Sequence, residues 1–107
     1  MKALFLDRDG IINRSFKNKK GKPKAPTLFK DFIFLPFLKN YLNEIKKLNF
    51  NIIIITNQPD ISYGVLKEAE LYKMHSKIYS SLPVTDIYVC KHSKEDNCKC
   101  RKPKTGL

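Results

Sequence analysis

The chain opens on a short, nearly unbroken apolar run, Lys2–Asp7, that ends in an acidic residue. Such a run suits a strand buried on both faces of a parallel sheet. Asn51–Thr56 repeats the design more strongly, since the β-branched run Ile52-Ile53-Ile54-Ile55 closes on Thr56-Asn57-Gln58. Asp86–Cys90 is a third, shorter candidate. Between the first two strands Pro36 can start a helix, and Phe37, Leu38, Tyr41, Leu42, Ile45 and Leu48 then recur as one apolar helical face. Leu71, Met74, Ile78 and Leu82 follow the same period from about Lys67 until Pro83 ends it. The order β-α-β-α-β predicts a parallel sheet with right-handed crossovers and with ligands at the carboxyl ends of the strands. Asp7, Asp9, Thr56 and Asn57 all fall at such ends, and so does a Cys/His loop after the third strand. Residues 13–34 fit neither period. This Lys-rich stretch, with Gly21, Pro23 and Pro26, reads as an irregular flap or hairpin over the site, or as a plain solvated loop.

Length and composition narrow the class. A chain of 107 residues holds one domain, and 42% apolar content with no low-complexity tract makes it globular. The Ile52–Ile55 run is far too short to span a bilayer, and the early Asp7 leaves no room for the apolar core of a signal peptide, so a cytoplasmic location is expected. The net charge of +11 favours polyanions or small phosphorylated molecules without choosing between them. Lysine is spread along the whole chain, and no nucleic-acid-binding motif accompanies it.

Four constellations carry candidate chemistry. In Asp7-Arg8-Asp9-Gly10-Ile11-Ile12-Asn13 two carboxylates, two residues apart at a chain turn, can converge on one phosphate and one divalent cation. A carboxylate attacks phosphorus when a cation screens the charges, and a second carboxyl can serve as acid and then base. In Thr56-Asn57-Gln58 a hydroxyl and the following backbone N–H groups can hold phosphate oxygens. Cys90, His92, Cys98 and Cys100 supply four soft ligands, enough for a closed structural zinc site, and include every cysteine of the chain. Arg101 and Lys102 follow the last of them as a fork and a point charge for a second phosphate or carboxylate. His75 reads only as a helix residue near the apolar face.

Together DRDGIIN, TNQ and the CKH…CKCRKP stretch resemble the haloacid dehalogenase phosphatases, in the branch of D-glycero-D-manno-heptose 1,7-bisphosphate and histidinol-phosphate phosphatases, over Lys2 to Lys102. The resemblance implies a three-layer Rossmann-like α/β fold with flanking helices, a flap at about 13–34 and a zinc loop at about 90–102. It implies Asp7 as the nucleophile of an aspartyl-phosphate, and Asp9 as acid and base that also offers its carbonyl to Mg2+. Thr56 and Lys102 would hold the phosphoryl group, and Asn13, Asn57, Gln58, Arg101 and Lys102 would meet substrate. Members of that branch carry a further helix and a strand ending in Gly-Asp, whose acidic residues complete the magnesium site; no such motif stands in these residues. The expected domain is therefore C-terminally truncated, and baring the first strand invites a partner chain or a missing segment to complete the sheet.

The favoured function is hydrolysis of a phosphate monoester on a small phosphosugar of the heptose 1,7-bisphosphate kind. Histidinol phosphate is the alternative substrate. An inactive phosphatase remnant and a zinc-stabilised basic module that binds nucleic acid are the non-enzymatic alternatives.

Overall fold

The computed structural model of the chain describes residues 2–92. Its main sheet has three parallel strands, β1 (Lys2–Leu6), β4 (Phe50–Asn57) and β5 (Asp86–Cys90), in the order β1-β4-β5. Helix α1 (Leu38–Lys47) joins β1 to β4, and α2 (Glu68–Ser81) joins β4 to β5. The three strands and two helices read from the apolar periods are thus present in the expected order. Two short strands, β2 (Phe16–Lys17) and β3 (Pro23–Lys24), form a separate antiparallel hairpin.

Strand β4 is the centre of the core because it has a neighbour on each side. Ile52 and Ile54 are completely buried on one face, where they join Leu42 of α1 and Leu71, Met74 and Ile78 of α2. The side-chain period of two in a strand and the three-to-four period in a helix put all of these on facing surfaces. Register fixes the site: Leu6 pairs with Ile54, and Asn57 pairs with Cys90, so the ends of β1, β4 and β5 reach one edge of the sheet.

Two expectations are corrected. Strand β1 is not buried on both faces. Among the described residues it pairs with β4 alone, and Phe5 is 57% exposed. Nor does the whole predicted face of α1 pack. Leu38 and Leu42 are buried and Ile45 joins the core, whereas Phe37, Tyr41 and Leu48 are exposed. At roughly 100° per residue the six positions split into two adjacent stripes, and only the Leu38/Leu42/Ile45 stripe meets the sheet. Phe37 also precedes the helix with φ 62°, a left-handed conformation unusual for a bulky residue.

Residues 13–34 are a tied excursion, not a loose loop. The Arg14 N–H donates to the Ile33 carbonyl and the Leu35 N–H to the Ile12 carbonyl, closing the neck. At the tip the Asn18 side-chain oxygen accepts from the N–H groups of Lys20 and Lys22, and Gly21 takes the positive φ the turn requires. At the base the Phe29 N–H donates to Glu70 of α2 at 2.9 Å. No helix among the described residues is long and apolar enough to cross a membrane.

Candidate active site

After β1 the chain turns sharply. The Ile12 N–H reaches back to the Arg8 carbonyl at 2.7 Å, the Gly10 N–H donates to the Asn13 carbonyl, and Gly10 sits at φ 85°. A side chain at Gly10 would strain that turn. It leaves Asp7 exposed at the strand end and aims the half-buried Asp9 carboxylate inward.

Asp9 is held from three directions. Its Oδ1 accepts from Arg8 Nη2 at 2.7 Å, Arg8 Nε at 3.1 Å and Asn13 Nδ2 at 3.0 Å. Its Oδ2 accepts from Gln58 Nε2 at 2.8 Å, and the same amide nitrogen donates to Thr56 Oγ1 at 2.8 Å. The acidic loop and the end of β4 are thereby joined through one buried glutamine. Backbone continues the link, since the Gln58 N–H donates to the Cys90 carbonyl at 2.7 Å.

Arg8 is the largest fully buried side chain, which its place between two aspartates did not announce. Burial pulls its pKa down and the adjacent Asp9 pulls it back up. Beyond Asp9, Nη1 lies 3.1 Å from His75 Nε2 and donates to Met74 Sδ at 3.8 Å, while the guanidinium covers the Phe32 ring. His75 is lowered to about 4, first by burial and then by the Arg8 charge. Sequence reasoning missed both residues. The available signal was the position of His75 next to Met74, on the α2 face that the period turns towards the sheet.

A cavity of about 770 Å3 opens beside Asp9, within the size range of small-molecule sites. Asp9 and Gly10 line it from the acidic loop, Lys24 from the hairpin, and Asn57, Gln58 and Asp60 from the segment after β4. The hairpin therefore lines the same cavity as the acidic loop. Asn13, expected to meet substrate, is fully buried and spends its amide on Asp9 and the Arg14 carbonyl.

Of the four expected zinc ligands, Cys90 is buried at the end of β5 with its Sγ 3.9 Å from His92 Nδ1. Cys98, Cys100, Arg101 and Lys102 lie outside the described residues. Among the described residues no group of three or more His, Cys, Asp or Glu side chains could hold a metal ion.

Known proteins resemble the chain over nearly its full length. Residues 3–107 match the family Polynucleotide kinase 3 phosphatase. A D-glycero-beta-D-manno-heptose-1,7-bisphosphate 7-phosphatase of Helicobacter pylori (strain J99) is 36% identical over 99% of this chain and 60% of its own length. A probable D-glycero-D-manno-heptose-1,7-bisphosphate 7-phosphatase of Thermoplasma volcanium is 37% identical over the whole chain and 72% of its own length. The chain thus spans about three fifths of the Helicobacter relative. The crystal structure of D,D-heptose 1.7-bisphosphate phosphatase from B. bronchiseptica, complexed with magnesium and phosphate, superposes with a TM-score of 0.81. It is 28% identical, and the match covers 96% of this chain and 57% of that one. With its parallel sheet, its acidic loop after β1 and these relatives, the chain belongs to the polynucleotide kinase 3 phosphatase family of haloacid-dehalogenase-like phosphatase domains.

Proposed function

We propose that these residues carry the nucleophile and acid/base part of a magnesium-dependent phosphatase acting on a small phosphosugar of the heptose 1,7-bisphosphate kind. The observation that carries the reading is the Asp9 carboxylate, fixed by Arg8, Asn13 and Gln58 in a metabolite-sized cavity at the carboxyl ends of parallel strands. The names and bound ligands of the relatives support the substrate class and the cation.

In this reading an Asp7 carboxylate oxygen forms a bond to phosphorus as the bond to the sugar oxygen breaks, and Asp9 gives its proton to the leaving alkoxide. Asp9 then takes a proton from water, whose oxygen attacks the aspartyl-phosphate, releasing phosphate and restoring Asp7. Three donors load Oδ1 of Asp9 and one loads Oδ2, so Oδ2 is the oxygen through which the proton passes. Thr56 Oγ1 accepts from Gln58, which leaves its hydroxyl hydrogen to meet a phosphate oxygen. Asn57 and Gln58 border the same space, Asn13 acts through Asp9, and Arg101 and Lys102 steady the anionic substrate.

A magnesium ion fits the donor set in one way. The Asp9 carboxylate is taken up by protein donors, so in this proposal the Asp7 carboxylate and the Asp9 main-chain carbonyl would hold the ion. When bound, the ion supplies charge screening for attack on the phosphate. In this proposal any further acidic ligands are supplied by another segment or by a partner chain at the β1 edge. The exposed Phe5 and the pairing of β1 with β4 alone among the described residues support that completion.

Cys90, His92, Cys98 and Cys100 form a structural zinc site in the same proposal, supported by the approach of Cys90 and His92. Metal analysis of the reduced protein tests the site: one zinc per chain, lost in Cys90→Ser, is expected, and a metal-free protein refutes it. Phosphate release from heptose bisphosphate, histidinol phosphate and an aryl phosphate, across a magnesium titration, tests the activity. Release abolished by Asp7→Asn is expected. No release at any magnesium concentration identifies a remnant without turnover.

A further inference from the structure

We propose that His75 is a positioning residue of this site, accepting a hydrogen bond from Arg8 so that the guanidinium is held edge-on against Asp9. The inference rests on the phosphatase reading for the use made of Asp9, and on geometry for the rest. A guanidinium has donors only, and Arg8 Nη1 lies 3.1 Å from His75 Nε2. Nε2 must therefore be the bare, accepting nitrogen, and the ring proton sits on Nδ1. The lowered pKa of His75 agrees with a neutral ring there.

Each nitrogen of the guanidinium then has a partner. Nε and Nη2 point at Oδ1 of Asp9, Nη1 faces His75 and Met74 on α2, and one flat face lies over Phe32 at 5.3 Å. Met74 and Phe32 fill space, while among the described residues only His75 offers Nη1 a strong acceptor. Without it a buried N–H would lack its partner, and the group would be free to rotate away from Asp9. Helix α2 thus reaches the acid/base residue through two side chains and without touching substrate.

Three measurements on the full chain test this. Nitrogen NMR of the His75 ring is expected to show the Nδ1–H tautomer; a protonated Nε2 at neutral pH overturns the proposal. Exchange of the Arg8 Nε hydrogen is expected to quicken roughly tenfold in His75→Leu, which fills the space without an acceptor, and to stay slow in His75→Gln, whose amide oxygen can accept. Equal exchange in both variants and the wild type refutes the coupling. Where phosphate release is measurable, kcat is expected to fall roughly tenfold in His75→Leu with KM nearly unchanged, and to recover in His75→Gln. A purely packing role predicts the opposite ranking, with Leu the better tolerated. Absence of turnover in the wild type with intact Arg8 protection would mark a remnant without turnover and leave the Arg8–His75 contact standing.

Discussion

Acidification should unfold this chain partly through one residue. His75 is largely buried, its pKa is lowered from 6.5 to about 4 by burial and then by Arg8 and Lys91, and Asp9 opposes the shift. A histidine depressed in the folded state takes up its proton more readily when unfolded, so protons favour the unfolded chain between these two values. The neutral ring's contribution is present in full above about pH 6.5 and is lost as the pH falls towards 4. Linkage over that shift amounts to about 2 kcal/mol at pH 5 and about 3 kcal/mol at pH 4, relative to neutrality. Carboxylates also titrate in this range, so the quantity to measure is a difference. Urea unfolding of the wild type and His75→Gln at pH 7, 6 and 5 gives it directly, because glutamine has no proton to gain. The wild type is expected to lose about 2 kcal/mol more than the variant between pH 7 and pH 5. Parallel losses in the two proteins would show that His75 titrates as an exposed imidazole and that its contact with Arg8 does not persist in solution.

Two further substitutions probe the scaffold. Phe37→Asn should raise the urea midpoint, by about 1 kcal/mol in stability, because asparagine tolerates φ 62° and the lost phenyl ring is 83% exposed; an unchanged or lower midpoint would mean that the ring packs in solution. Gln58→Leu should cost about 1–3 kcal/mol by stripping buried donors from Asp9 and Thr56, and should also lower phosphate release; a stable variant with full release would dissociate Gln58 from the site.

The parts legible in the sequence are those where a side-chain period meets a single surface. Ile52 and Ile54 announced β4 because alternate positions of a central strand share one environment, and Leu71, Met74 and Ile78 announced α2 for the same reason. The period could not rank two adjacent stripes of α1, because Phe37, Tyr41 and Leu48 are as apolar as Leu38, Leu42 and Ile45, and only the packed sheet distinguishes them. The site divides along the same line. Asp7, Asp9 and Thr56 were visible because strand ends in a parallel sheet collect ligands whatever the packing. Arg8 and His75 were not, since an arginine between two acids reads as solvated charge until the fold buries it against α2 and Phe32. Gln58 was read as a substrate contact, yet its amide, which also donates to Thr56, reaches Asp9 across 49 residues of sequence. A motif therefore names candidate reacting groups, while the groups that hold them are chosen by burial. For Asp9 those holders come from its own loop, from the end of β4 and, through Arg8, from α2, so disturbing any one element should reach the same carboxylate.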